Sequence, residues 1–229
     1  MTISIDITTD AYRDAYSRIN GMVVVGEGLA DRHFRLLAKA IPGDQAELEH
    51  LAAMEGRHAR DFLGCGRHLG IQADVALARG LFAPLHALFL TCNRAGDLSG
   101  CLTLQGIIIE CFALAAYRHY LPVADDYAKP ITTAVMADEE EHLGYAERWL
   151  AAHDDGVNDA VSSVCRQALP ITLRILQRLS DDMQAIGIDP IELLGSFSAL
   201  FVEAMVAIGY TPKAARRLLT GAAAATLTG

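Results

Sequence analysis

The sequence predicts an all-α protein, a single domain over residues 1–229 built as a bundle of about eight helices. Three observations predict this class. Apolar residues recur at the three- and four-residue spacing of helices rather than alternating as in strands. Only 7 prolines interrupt the chain, and 52% of its residues are hydrophobic. A chain of 229 residues is also long enough to enclose one sizeable apolar core.

The first two predicted helices form a hairpin, over about residues 10–40 and 44–70. Glu27 falls in the apolar stripe of the first helix, where a charged residue requires a partner. Glu55 and His58 lie on the inner face of the second helix. The hairpin therefore brings polar side chains toward the core.

A second hairpin is predicted downstream, over about residues 98–121 and 125–153. The first of these helices is apolar nearly all round, which indicates a central position, and Glu110 is its only acid. The second carries Glu139 and His142 on its inner face. Both hairpins thus have the same order of polar inner residues.

The remaining segments connect and cover these hairpins. A helix over about residues 74–93 is expected to be the crossover between them. Three further helices are expected at about 157–186, 190–208 and 212–226, after a turn at Asp154-Asp155-Gly156. We find no sequence feature typical of a domain boundary.

Charge and cysteine spacing narrow the functional classes. The net charge of −9 argues against nucleic acid or an anionic membrane surface as a partner. Five cysteines without a C-x-x-C motif exclude a rubredoxin-like module and favour reduced thiols. There is no cationic N-terminal segment followed by an apolar stretch, and no window of about 18 uninterrupted apolar residues. We expect a cytoplasmic protein without a transmembrane segment.

Each hairpin contains one lone Glu followed by a Glu-x-x-His motif. Residues three apart share one side of a helix, so each motif can bind a metal ion through a carboxylate and an imidazole. The lone Glu precedes the motif by 28 residues in one hairpin and 29 in the other, so antiparallel packing can bring all of them to one level. The candidate metal ligands are Glu27, Glu55, His58, Glu110, Glu139 and His142.

Four Glu and two His are the ligand set of ferritin-like di-iron bundles. The four negative charges of the carboxylates neutralise the charge of two ferrous ions. Burying each carboxylate without a cation would cost on the order of several kcal/mol. Oxygen-rich ligands without thiolate favour iron or manganese over structural zinc. We therefore expect a ferritin-like four-helix bundle with two iron ions. A solvated helix face for either motif, or a metal-free bundle, is the competing interpretation.

Several stretches resemble one family, the cyanobacterial aldehyde-deformylating oxygenases, also called aldehyde decarbonylases. The most specific are YRDAYSRIN at 12–20 and IIIECFALAAY at 107–117. Shorter stretches extend the resemblance over nearly the whole chain: 26–27, 53–58, 65–66, 120–125, 138–142 and, more weakly, 204–210.

The resemblance implies a ferritin-like fold and a reaction. Enzymes of this family convert a long-chain fatty aldehyde, O₂ and four reducing equivalents into formate and an alkane one carbon shorter. The six candidate ligands would bind the two irons. The electrons would come from a ferredoxin-type donor and the aldehyde from an aldehyde-producing reductase. An external donor agrees with the lack of a cysteine-rich redox module.

The resemblance also assigns residues around the metals. Gln105, Tyr117 and Asp138 would be catalytic groups beside the ligands. The alkyl channel would be lined by Val23, Gly26, Phe62, Phe82, Ala113 and Tyr117.

The sequence departs from the family pattern at a few positions. Glu140 replaces an aromatic residue and would add a carboxylate beside the site, and Val25 stands where the family has a further Glu. Pro84 and His86 lie in the channel-side segment. These departures keep open a di-iron oxygenase or oxidase for a different small apolar substrate. A non-catalytic ferritin-like iron binder is a separate alternative.

Overall fold

The computed structural model describes residues 6–153 and 157–227, and within them the only regular elements are helices. Ten α-helices follow in chain order: α1 Asp10–Ala40, α2 Gln45–His68, α3 Val75–Ala95, α4 Leu98–Leu102, α5 Glu110–Tyr120, α6 Ala128–Ala152, α7 Val157–Arg178, α8 Ser180–Ala185, α9 Pro190–Ala207 and α10 Pro212–Leu227. A π-helical segment, Thr103–Ile109, joins α4 and α5 into one rod. The all-α prediction is confirmed.

The N-terminal hairpin forms where the sequence predicts it. Thr9 begins α1 as its N-cap, because its hydroxyl accepts a hydrogen bond from the Tyr12 backbone N–H at 3.2 Å. A short 3₁₀ turn, Pro42–Asp44, ends the hairpin's first arm and lets α2 return along α1. The long contact between these helices fixes the relative height of their inward side chains.

The second hairpin consists of the rod 98–120 and α6. The two helices approach closely at Gly106, where an added Cβ would collide with the Ala146 side chain. The π-helical segment at this point was not predicted, because an apolar run has no signal that separates a π-helical turn from an α-helical one. Such segments are frequent at functional sites.

The bundle is formed by α1, α2, the rod and α6, with α3 lying along α1 and with α7 and α9 covering the rod. The prediction of a single helix over residues 157–186 is wrong. It is interrupted at Leu179, and α8 turns toward α1, where Arg18 donates to Asp182 at 2.6 Å. The predicted turn at Asp154-Asp155-Gly156 lies outside the described residues.

Three helical stretches are long and apolar enough to cross a membrane, judged by length and composition alone. They are Val75–Ala95, Leu98–Tyr120 and Pro190–Ala207. The expectation that the chain has no transmembrane segment is therefore not supported by these two criteria. In Leu98–Tyr120, 72% of the apolar window is buried inside the fold, so packing within the bundle accounts for its composition. The other two windows are 28% and 33% buried.

Candidate metal centre

The six predicted metal ligands converge inside the bundle, although they come from four different helical stretches. Each of them is at most 5% exposed. α1 contributes one, α2 two, the beginning of α5 one and α6 two: Glu27, Glu55, His58, Glu110, Glu139 and His142. All six side chains point into the bundle, as the sequence predicts.

The ligand atoms fall into two overlapping groups. One group combines Glu27 and His58 with two further carboxylates, and the other combines Glu110 and His142 with the same two. The shared carboxylates are Glu55 and Glu139. Within each group the ligand atoms all lie within 4.8 Å of one another. This arrangement offers positions for two neighbouring cations bridged by two carboxylates.

Unpartnered polar atoms test whether a cation pair fits here. Among the described residues, no hydrogen-bond partner is found for five buried atoms: both carboxylate oxygens of Glu55, one of Glu139, and Nδ1 of both histidines. His58 Nδ1 lies 3.4 Å from a Glu139 oxygen, and His142 Nδ1 lies 3.2 Å from a Glu55 oxygen. An unsatisfied buried polar group costs about 1–3 kcal/mol, so this cluster is expensive without a ligand. Divalent cations that accept oxygen and nitrogen ligands would satisfy these atoms.

Burial and crowding divide the four carboxyl groups into two kinds. Burial and the neighbouring Glu139 raise the pKa of Glu110 to about 8, and the same causes hold the pKa of Glu55 well above its usual range. For Glu27 and Glu139 burial acts in the same direction, but hydrogen-bond partners in the cluster outweigh it and lower both pKa values.

The two imidazoles respond in the opposite sense. Burial opposes their protonation, but the surrounding carboxylates outweigh it, so the pKa of His58 rises to about 12 and that of His142 also rises. Without cations, Glu110 and both histidines therefore hold protons at neutral pH. Protons then compensate the charge that cations would otherwise neutralise.

The three groups that the resemblance assigns near the metals each contact a candidate ligand. Tyr117 donates its hydroxyl hydrogen to Glu27. Gln105 donates to Glu110 at 2.9 Å. The third, Asp138, has a different position at the edge of the bundle.

Asp138 connects the site to the surface. It accepts hydrogen bonds from His58 Nε2 at 2.8 Å and from Arg57 at 2.6 Å. Its side chain is 24% exposed, whereas His58 is fully buried. A carboxylate on the outer nitrogen of a ligating imidazole fixes the ring and raises its basicity.

An apolar cavity borders the candidate ligands. Its wall includes Glu27, Glu55, Glu110 and Glu139. Five of the six residues predicted for the alkyl channel line it: Val23, Gly26, Phe82, Ala113 and Tyr117. The cavity therefore adjoins both candidate cation positions.

Phe62, the sixth predicted channel residue, lines a neighbouring cavity. That cavity shares Val23, Ala116 and Tyr117 with the first. Phe62 stacks on Tyr117 with ring centroids 5.1 Å apart. The predicted lining residues thus divide between two adjoining spaces.

Two of the positions that depart from the family pattern, Glu140 and Val25, lie away from the ligands. The Glu140 side chain is 62% exposed and forms an ion pair with Arg118 at 3.4 Å. The expectation that Glu140 adds a carboxylate beside the site is therefore wrong. Glu140 follows Glu139 by one residue, and a helix turns by about 100° per residue. Val25 lines a surface cleft on the outside of α1.

Two histidines near the site were missed by sequence reasoning. His33 contacts both Gln105 and His86 through hydrogen bonds between different helices. Helical spacing cannot reveal such a pair, since its members are 53 residues apart. The one available signal is that His33 lies on the same buried stripe of α1 as Ala30 and Leu37.

Two comparisons with known proteins agree with this geometry. The model of the family described as long-chain fatty aldehyde decarbonylase matches residues 9–224. A solved structure from Synechococcus, described as protein 19 with aldehyde deformylating oxidase activity, is 59% identical in sequence. The similarity covers 94% of this chain and 99% of that chain, with a TM-score of 0.93.

Proposed function

The chain belongs to the long-chain fatty aldehyde decarbonylase family, and from this we propose that it is an aldehyde-deformylating oxygenase. It converts a long-chain fatty aldehyde, O₂ and four electrons, with protons, into formate, water and an alkane one carbon shorter. The observation that carries this proposal is one set of four carboxylates that faces both the two candidate cation positions and an apolar cavity.

Glu27, His58, Glu110 and His142 would hold two iron ions, with Glu55 and Glu139 shared between them. When bound, the irons supply electrons to O₂ and Lewis-acid polarisation of the aldehyde carbonyl. The carboxylates neutralise the cations inside an apolar bundle, so binding needs no further counter-ion.

The cavity wall binds and orients the aldehyde. Its alkyl chain would lie against Val23, Phe82 and Ala113, gaining about 0.8 kcal/mol for each buried CH₂ group. The carbonyl carbon would then be at the carboxylate-lined end of the cavity. The C1–C2 bond of the aldehyde breaks there, C1 leaves as formate, and C2 takes up hydrogen. The apolar wall excludes bulk water from this end.

Three polar side chains hold the ligands in place during this reaction. Tyr117 fixes Glu27 through its hydroxyl, and Gln105 fixes Glu110 through its amide. Asp138 holds the outer nitrogen of His58. Each acts on a carboxylate or imidazole that would bind a cation.

The reaction requires an external reductant, since all five cysteines of the chain are free and buried and no redox module is built from them. A ferredoxin-type protein is the proposed donor. An aldehyde-producing reductase is the proposed source of the substrate. Both partners are consistent with a cytoplasmic location, which we propose for this protein.

Incubation with octadecanal tests the proposal. The iron-loaded protein, supplied with O₂ and a chemical or ferredoxin-based reducing system, is expected to give heptadecane and formate in equal amounts, measured by mass spectrometry. Glu55→Gln provides the inactive reference. Iron-loaded protein that yields neither formate nor alkane would contradict the proposed reaction, whereas products from a shorter apolar aldehyde only would identify a different substrate length.

A further inference from the structure

A row of hydrogen-bonded side chains leads from a surface cleft to Glu110. His86, on α3, lines the cleft beside α1. Its Nδ1 lies 2.9 Å from His33 Nε2, and His33 Nδ1 lies 2.6 Å from Gln105 Oε1. The Gln105 amide nitrogen then donates to Glu110 Oε1 at 2.9 Å. Four side chains on three different helical stretches therefore form one connected row.

The chemistry of each group fixes the direction of the whole row. With a cation bound, Glu110 is ionised and only accepts hydrogen bonds, so the Gln105 NH₂ must face it and the Gln105 carbonyl oxygen must face His33. His33 Nδ1 is therefore the protonated nitrogen, which leaves Nε2 as an acceptor. His86 must then donate from Nδ1. Every hydrogen bond in the row points toward the carboxylate.

His33 is suited to this role because it is neutral and immobilised. Burial lowers its pKa to about 3, so it carries one hydrogen on one ring nitrogen. Its ring stacks on Phe89 with centroids 3.7 Å apart, and its edge is hydrogen-bonded to His86, whose ring is nearly parallel to it at 5.1 Å between centroids. The stack leaves the ring in one orientation.

An amide in the middle of the row argues against proton conduction along it. Gln105 would have to release one hydrogen while taking up another on its oxygen, and a neutral amide does this poorly. The row instead orients the Gln105 amide. Because linked donors polarise one another, the row also strengthens the last hydrogen bond, from Gln105 to Glu110.

We propose that His33 and His86 are positioning residues, which hold the Gln105 amide so that Glu110 Oε1 stays engaged and only Oε2 is free for a cation. Glu110 Oε2 lies 3.8 Å from His142 Nδ1, on the side of the second candidate cation. The inference rests on the proposed function, because it presumes a cation at that position. It adds two histidines to the groups that determine metal binding.

Cobalt(II) titration of the metal-free protein, followed by visible absorption, tests this role. His33→Phe retains a stacking ring but has no donor, and we expect it to weaken one of two cobalt sites by about 10-fold or more. His33→Asn places an amide NH₂ close to the former Nδ1, and we expect affinity within about 3-fold of wild type. His50→Asn, on the exposed side of α2, is the matched control.

The possible outcomes separate the inference from the proposed function. Wild-type affinity in His33→Phe would overturn the inference, and so would equal losses in His33→Phe and His33→Asn, since packing alone would then explain both. A wild-type protein that binds no cobalt would instead overturn the proposed metal centre.

The ring nitrogens provide a second readout that does not depend on any variant. In the zinc-loaded protein labelled with ¹⁵N-histidine, long-range ¹H–¹⁵N spectra are expected to show His33 and His86 as neutral rings protonated at Nδ1. A His33 ring protonated at Nε2 would reverse the direction of the row and overturn the proposal.

Discussion

The two halves of the candidate metal centre repeat one sequence motif but differ in what surrounds it. On one side, His58 Nε2 donates to Asp138, which also accepts from the half-exposed Arg57. On the other side, His142 Nε2 is buried without a hydrogen-bond partner in the described part of the chain, and its ring centroid lies 5.5 Å from that of Phe34. A repeated motif thus sets the ligands, whereas the neighbouring helices set how firmly each imidazole is held.

The two unshared carboxylates, Glu27 and Glu110, also differ in their hydrogen-bond donors. Glu27 accepts from the Tyr117 hydroxyl, while Glu110 accepts from an amide at the inner end of the histidine row. We therefore expect two cation sites of unequal affinity, with the His58 half the tighter one because Asp138 raises the basicity of its imidazole. The following predictions test this difference.

The largest effect is expected at a carboxylate shared by both halves. Glu55→Gln retains the shape of the side chain but removes a charge from both ligand groups. We expect loss of both iron ions and a fall in turnover of about 100-fold or more. Iron content and heptadecane formation measure this. Glu49→Gln, exposed on the same helix, should leave both unchanged.

Substitution of one unshared carboxylate should affect one half only. Glu27→Gln should empty the His58 half and Glu110→Gln the His142 half, each leaving about one cation per chain. Metal analysis and cobalt spectra of the two variants would distinguish the halves. Loss of both cations in both variants would mean that the two sites fill only together.

Cation binding should release protons, because protons and cations compete for the same groups. At pH 7 the raised pKa values leave Glu110, His58 and His142 protonated without metal, so loading releases a proton from each of these three groups. Affinity should therefore rise with pH, over a window that begins below the Glu110 pKa of about 8 and extends toward the His58 pKa of about 12. Calorimetry in buffers of different ionisation enthalpy counts the protons, and a count near zero would contradict these pKa shifts.

A smaller effect is expected where the halves differ most. Asp138→Asn still accepts from His58 Nε2 but carries no charge, so the His58 half should lose about 10-fold in affinity and the His142 half should not change. Asp126→Asn, fully exposed near the beginning of α6, is the control. Equal losses in both halves would mean that Asp138 acts on the whole centre rather than on one imidazole.

The smallest effect is expected at Glu140. Its side chain is mostly exposed and pairs with Arg118, so Glu140→Gln should change metal affinity by less than about 2-fold. A larger change would show that this carboxylate reaches the centre in solution.

Periodicity was sufficient to predict most of the helices and the six converging side chains. Glu27 and Glu110 interrupt apolar stripes, and each precedes a Glu-x-x-His motif by one hairpin length, so spacing alone indicates where they meet. The break at Leu179 has no such signal, since it depends on a contact between α8 and α1. The hydrogen-bond partners of Gln105, His33 and Asp138 could not be predicted either, because they lie on other helices and no local sequence pattern relates them.

Crystals grown with manganese(II) and measured at its absorption edge test the central claim most directly. Anomalous difference maps should show two peaks per chain, one between Glu27 and His58 and one between Glu110 and His142, both touching Glu55 and Glu139. A single peak, or peaks outside this cluster, would contradict the account of a carboxylate-bridged pair.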